Sequence, residues 1–170
     1  MNAGAMGSET FAHVHSLRLM DASGTVAEQT PAELDVHYRN VPELRTRYVL
    51  SAVFEGVPGK AEEIARKLDE SMQKRRTTQP RESSAGCIFK NPGPCPAGKL
   101  VDELGLKNRR VGKARVSEVH GNFIVNDGGA TAADVLRLIE EVKAVALAER
   151  GITLETEVQI VGEPESYLFS

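Results

Sequence analysis

The spacing of apolar residues changes twice along the chain. Between residues 14 and 30, Val14, Leu17, Leu19 and Met20 precede the turn-forming run Asp21-Ala22-Ser23-Gly24, and Thr25-Val26-Ala27 returns from it. That pattern predicts a β-hairpin. Thr30 followed by Pro31-Ala32-Glu33-Leu34 has the form of an N-cap and one helical turn. Residues 47 to 54, Arg47-Tyr48-Val49-Leu50-Ser51-Ala52-Val53-Phe54, are strand formers ending before Gly56 and Pro58. The period then becomes helical. Ala61, Ile64, Ala65, Leu68 and Met72 recur at three- and four-residue steps in residues 60 to 77, with charged residues opposite. Thr77-Thr78-Gln79-Pro80 ends that helix.

Residues 80 to 96 hold Pro80, Pro92, Pro94 and Pro96 with Gly86 and Gly93, predicting a shaped loop around a short strand, Cys87-Ile88-Phe89. A short helix over Ala97 to Leu104 stops at Gly105, and Ala114–Ser117 and Asn122–Asn126 suit short strands. The clearest element is a helix over 132 to 150, with Thr131 as cap, Asp134 completing a capping box, and Gly151 as the stop. Its buried stripe is Val135, Leu138, Ile139, Val142, Val145 and Ala146. A last strand is expected over Thr156–Val161, where polar and apolar residues alternate. The order β-β-β, then α-loop-α-β-β-α-β, is an α+β fold, with a boundary near Gly56–Gly59.

Composition narrows the class. The 170 residues are 41% hydrophobic and 26% charged, ordinary values for a globular chain with a true core. Lys and Arg number 21 against 24 Asp and Glu, a net charge of -3 that attracts neither nucleic acid nor an anionic membrane. No apolar run reaches the roughly 18 residues of a membrane helix, and no signal-peptide pattern opens the chain. The two cysteines, Cys87 and Cys95, fit a reduced cytoplasmic chain, and no CxxC or HExxH spacing suggests a metal.

Several residues carry chemical possibilities. In Ser83-Ser84-Ala85-Gly86-Cys87-Ile88-Phe89-Lys90-Asn91-Pro92, small residues and Lys90 around Cys87 favour a thiolate or a good proton donor; a half-buried structural cysteine has the same signature. Glu157 is polar in an otherwise apolar final strand, either a carboxylate in a low-dielectric cleft or one on a solvent face with Glu155 and Gln159. Arg39, after Tyr38, offers a fork of donors suited to a carboxylate or developing enolate, or simply covers a loop. The basic runs 74–76 and 107–110 suit phosphate or a helix end, and Gly128-Gly129 an anion or a turn. Cys87 and His120 could form a thiol-hydrolase pair if they meet.

Taken in order, these stretches resemble the UDP-N-acetylenolpyruvoylglucosamine reductases, the MurB flavoenzymes of peptidoglycan synthesis. The resemblance runs through Met1-Asn2-Ala3-Gly4-Ala5, Tyr38-Arg39, Arg75-Arg76 with Gln79-Pro80, residues 84–92, Ala97-Gly98-Lys99-Leu100, Val116-Ser117-Glu118, 122–126, 128–135 and Glu155-Thr156-Glu157-Val158. It implies FAD as cofactor, NADPH as hydride donor, and reduction of UDP-N-acetylglucosamine enolpyruvate to UDP-N-acetylmuramate in the cytoplasm. By position Arg39, Cys87 and Glu157 match catalytic residues, Cys87 standing where the family commonly has a proton-donating serine. A thiol is the stronger acid of the two, so the exchange is chemically coherent. Tyr38, Lys90, Asn91 and His120 match substrate-binding positions, and Asn2, Ala3 and Gly4 match cofactor-binding ones.

In the family the Met-Asn-Ala-Gly-Ala stretch follows an N-terminal flavin-binding part. The resemblance therefore implies a C-terminal portion: residues 1–57 as the end of a flavin-binding domain and 58–170 as an α/β substrate domain, lacking most of the FAD-binding domain. Such a chain is expected to bind FAD poorly alone and to act with a separate or missing N-terminal half. A rival reading is a non-enzymatic nucleotide-sugar binding module.

Overall fold

The computed structural model describes residues 2–93 and 95–162; Met1 and Pro94, both named above, lie outside them. The architecture is α+β, nine strands and three helices among the described residues. It comprises two compact units, Met1–Ser71 and Met72–Ser170. The division falls inside a helix, whereas the sequence reading draws its boundary at 57/58, before that helix begins.

The first unit opens with β1 (Gly4–Ala5) and β2 (Ser8–Glu9), a tight hairpin turning through Met6 and Gly7, both at positive φ. Two residues per strand leave no periodicity to read, so this hairpin is not foreseen. The expected hairpin follows as β3 (Val14–Met20) and β4 (Val26–Gln29). Asp21 locks its turn, with one carboxylate oxygen accepting from the backbone N–H groups of Ser23 and Thr25 at 2.8 and 3.0 Å. β5 (Tyr48–Phe54) pairs antiparallel with the other side of β3, giving the order β4-β3-β5. The register slips between Val14 and Ser16. This bulge resets the two-residue alternation, so Val14 joins Leu17 and Leu19 in a small core with Leu34 and Val41. The turn at Pro31–Glu33 forms as predicted, with the Glu33 carboxylate accepting from the Thr30 N–H and hydroxyl, both at 2.8 Å.

Helix α1 (Ala61–Thr78) confirms the change of period, yet its apolar stripe is not covered. No residue of it is buried, and Ile64, Leu68 and Met72 are all exposed. Its support is local: Glu62 and Glu63 in the first turn, Arg75 and Arg76 in the last, and an Arg66–Glu70 pair at 2.7 Å.

The second unit is built on an antiparallel sheet in the order β6-β9-β8-β7, from β6 (Ser84–Cys87), β7 (Arg110–Val111), β8 (Ala114–Val116) and β9 (Phe123–Asn126). Helices α2 (Ala97–Glu103) and α3 (Ala132–Arg150) complete it. The capping box of α3 is present, with Thr131 and Asp134 exchanging backbone-to-side-chain bonds at 3.0 and 3.1 Å. Leu138, Ile139, Val142 and Ala146 face the core, while Val135 and Val145 lie at its margin. Gly151 ends the helix at φ 65°. The expected last strand is a correction. Only Thr156 forms a bridge, to Phe89, and the chain then leaves the sheet with Ile160 and Val161 exposed. Alternation alone does not make a strand where no partner edge continues.

One ionic knot ties the sheet's far edge. Arg115 grips Asp127 with two bonds of 2.9 and 3.0 Å, reaches Glu82 at 3.3 Å, and shares Asp127 with Arg110. The bond from Arg115, with help from Arg110, holds the Asp127 carboxyl at about 2. The unfolded chain regains an ordinary carboxylate near 3.9, so this stabilisation is complete above roughly pH 4 and fades as pH falls toward 2. Denaturant midpoints measured from pH 7 to pH 2 are expected to separate wild type from Asp127→Asn above pH 4 and to draw together as pH falls to 2.

Candidate functional site

Each unit gathers part of the expected residues. In the first, His37 and Asn40 bond reciprocally across a two-residue turn, N to O at 2.8 and 3.2 Å, which puts Tyr38 and Arg39 at its tip. Arg39 takes φ 55°, a left-handed conformation that suits glycine and strains an ordinary side chain by about 1–3 kcal/mol. Its guanidinium lies 4.8 Å over the Tyr38 ring, and its Nη1 donates to the Asn2 carbonyl at 3.2 Å. Asn2 is buried, its amide donating to Glu9 at 2.7 Å and accepting from the Phe11 N–H at 3.2 Å. The Ala3 carbonyl accepts from Thr10 through both backbone and hydroxyl. Gly4 packs so closely that an added Cβ would stand 3.1 Å from both Arg39 Nη1 and the Ser8 carbonyl. Asn2, Ala3, Gly4, Tyr38 and Arg39 therefore form one cluster.

In the second unit the organising residue is Asn122, 3% exposed. Its side-chain oxygen accepts from the Phe89 N–H and its amide donates to the Phe89 carbonyl, both at 2.8 Å. Its own carbonyl accepts from the Ile88 N–H at 2.9 Å. A side chain thus continues the ladder where β6 ends. On the other side of the same two residues, the Ile88 carbonyl accepts from the Glu157 N–H at 2.7 Å, and the Glu155 carbonyl accepts from the Lys90 N–H at 2.9 Å. Glu157 is thereby fixed beside the residue that follows Cys87.

Cys87 is half-buried, opposite Phe123, just after a register slip in which Gly86 takes φ 82°. Such a bulge re-aims the side chain that follows it. Lys90 reaches the Glu155 carboxylate at 3.0 Å. Asn91 uses its oxygen to receive the Ala97 N–H at 2.9 Å, the free first turn of α2 that Pro96 cannot cap. His120 is half-buried against Phe123, ring centroids 5.0 Å apart, and its Nδ1 accepts from the Asn122 N–H at 3.1 Å. Burial, with the nearby Lys107 charge, pushes its pKa down, so the ring is neutral with Nδ1 already engaged. Gly98 makes room for it: a Cβ there would sit 2.6 Å from His120 Cε1.

Cys87, Lys90, Asn91, His120 and Glu157 are thus joined through residues 88–91 and Asn122. A concavity of about 320 Å³ opens in this unit among Ser83, Ser84, Ala85, Ile88, Ile124, Val125, Asn126 and Val135, and none of those five lines it. No group of three or more potential metal ligands occurs among the described residues, and no helix there is long and apolar enough to cross a membrane. The sequence reading treats Asn122 only as a strand start. Its signal is a polar residue entering an apolar strand run, Asn122-Phe123-Ile124-Val125.

Comparison with known proteins is consistent along the chain. Residues 79–161 match the family model "UDP-N-acetylenolpyruvoylglucosamine reductase, C-terminal domain". The chain is 40% identical over 167 residues to the UDP-N-acetylenolpyruvoylglucosamine reductase of Alkalilimnicola ehrlichii, covering 98% of the chain and 56% of that protein. It is 42% identical over 165 residues to that of Lachnoclostridium phytofermentans, covering 96% and 53%. The crystal structure of the MurB reductase from Thermus caldophilus superposes with a TM-score of 0.82 at 38% identity, covering 94% of this chain and 57% of that one. The chain spans little more than half the length of these relatives.

Replacing Asn122 by leucine fills its space while leaving both Phe89 backbone groups buried and unsatisfied. Unfolding of the second unit in urea is expected to show a loss of about 2–4 kcal/mol, against less than about 1 kcal/mol for an exposed control such as Glu140→Gln.

Proposed function

Since this chain belongs to the UDP-N-acetylenolpyruvoylglucosamine reductase family, carrying its C-terminal domain over residues 79–161, we propose that it provides the substrate-binding part of such an enzyme. The reaction is NADPH-driven, FAD-dependent reduction of UDP-N-acetylglucosamine enolpyruvate to UDP-N-acetylmuramate. The observation that carries this reading is the 2.7 Å bond from the Glu157 N–H to the Ile88 carbonyl. It fixes a carboxylate-bearing residue beside Ile88, the residue that follows the thiol-bearing Cys87, within a segment that Asn122 locks.

The reduction adds hydride to one carbon of the enolpyruvyl double bond and a proton to its neighbour. FAD, when bound, supplies the hydride taken from NADPH. The chain's own residues supply the rest. Arg39, with its fixed fork of donors, binds the substrate carboxylate and stabilises charge that develops on it. Cys87 donates the proton and is left as thiolate, to be reprotonated from solvent. Glu157 polarises the charged intermediate from a fixed backbone position. Lys90 and His120 contact the nucleotide sugar, the neutral imidazole through Nε2 because Nδ1 is occupied. Asn91 keeps only its amide nitrogen for that role, its oxygen being used to cap α2.

The residues at the chain's start fit one contact of a flavin rather than a whole site. Asn2 spends its side chain on Glu9 and Phe11, so it pins the segment, while exposed Ala3 and half-buried Gly4 present little side-chain bulk to a flat ring. A cytoplasmic location and a role in peptidoglycan synthesis go with this reading.

The chain mixed with a separately expressed N-terminal half of a family relative is expected to oxidise NADPH only when the enolpyruvyl substrate is present. Tight substrate binding with no oxidation would favour a binding module instead. In the reconstituted system Cys87→Ser is expected to retain much of the turnover and Cys87→Ala to lose it by at least tenfold. Arg39→Ala and Glu157→Gln should depress kcat more than they raise KM, because their contacts strengthen as charge develops.

A further inference from the structure

Glu9 is an exposed residue at the end of β2, opposite Gly4 in the antiparallel register. Its carboxylate does not simply face water. Oε2 accepts from the side-chain amide of Asn2 at 2.7 Å, and Asn2 is 1% exposed. A bond from a buried amide to an ionised carboxylate is charge-assisted and stronger than a neutral one. It also decides which way the amide faces. With the nitrogen toward Glu9, Asn2 Oδ1 is the atom left to receive the Phe11 N–H at 3.2 Å, and the same nitrogen makes a long bond of 3.5 Å to the His37 carbonyl.

Asn2 links Glu9 to the guanidinium of Arg39. Its backbone carbonyl accepts from Arg39 Nη1 at 3.2 Å, and its amide reaches His37, one end of the turn whose tip carries Arg39. A Cβ on Gly4 would stand 3.1 Å from Arg39 Nη1 and 3.4 Å from Glu9 Cγ, so the two charged side chains flank one point beside a glycine. Arg39 also holds a left-handed backbone conformation, which persists only where its surroundings over-determine it. We propose that Glu9 is a positioning residue for Arg39: by orienting Asn2 it sets the carbonyl to which Nη1 donates and steadies the turn from which Arg39 projects. This inference deepens the functional reading above and rests on it for the use made of a fixed Arg39.

Two substitutions separate reach from charge. Glu9→Asp keeps the charge but draws the oxygens back by one methylene; Glu9→Gln keeps the length and an acceptor oxygen but removes the charge. The full chain is labelled with nitrogen-15 arginine, and the Arg39 guanidinium is assigned by the signal lost in Arg39→Lys. Separate Nη resonances are expected in wild type and Glu9→Gln, because a held guanidinium does not rotate about its Nε–Cζ bond. In Glu9→Asp they are expected to merge while the backbone amides of β3 stay in place. In the reconstituted enzyme Glu9→Asp is expected to lower kcat about tenfold with KM changed less than about threefold, and Glu9→Gln to keep about half of the wild-type turnover. Merged resonances in wild type or Glu9→Gln, or separate ones in Glu9→Asp, overturn the proposal. So do β3 amides that shift in Glu9→Asp together with Arg39, since Glu9 would then serve the fold alone. Merged resonances with wild-type kcat in Glu9→Asp would defeat the role assigned to Arg39 and leave its positioning by Glu9 standing. If wild type itself oxidises no NADPH, the functional reading fails, and the resonances still decide the positioning.

Discussion

The amide of Asn122 replaces a length of missing strand. Where β6 stops, Phe89 would present a buried N–H and a buried carbonyl with nothing to bond, and a single side chain answers both. The cost of leaving them open, a few kcal/mol, is a large fraction of what holds a domain of this size together. Because residues 88–90 are held from this side, their other groups are free to anchor Glu155 and Glu157. The chemistry proposed for Cys87 and Glu157 thus depends on the amide that holds the segment both adjoin. Glycines make the arrangement compact: Gly98 lies under His120, and Gly121 lies so close to the Gly98 carbonyl that a Cβ would come within 2.5 Å of it.

The two units solve the burial problem differently. The second has a continuous apolar core from Ile88 and Phe89 through Ile124 to Leu138, Ile139 and Leu154, and its inner strands are tied by the Arg115–Asp127 pair. The first has only five buried hydrophobic residues in its core cluster, and its third strand and helix α1 keep their apolar side chains in contact with solvent. A sheet with one strand wholly exposed gains little from that strand's side chains, since hydrophobic stabilisation follows the area removed from water. Its stability rests on β3, the one strand hydrogen-bonded on both sides.

Much of this was readable from residue order, and the failures share a cause. Helices α1 and α3 and the hairpin of β3 and β4 follow from periodicity with capping or turn residues, which are local signals. The stripe on α1 has the correct spacing and still is not buried, because spacing says which residues share a face and not whether anything covers it. Thr156–Val161 alternates like a strand, yet only its first residues find the backbone of 88–90. The candidate residues were legible through family resemblance, and the clusters they form were not: that Asn91 would cap α2, or that Lys90 would turn to Glu155, depends on contacts between residues far apart in order. Asn122 fell within a stretch of the resemblance, but its bonds to Phe89, 33 residues away, were not legible there.

Arg39 stands where the backbone asks for glycine. A glycine there would relax the turn between His37 and Asn40, so a selection for thermal endurance alone would drift toward that replacement. Heat-hardened descendants chosen without an assay could lose the guanidinium first. Natural retention of a cationic side chain at so awkward a bend would then measure, in conformational energy forgone, how much the organism values what that charge does.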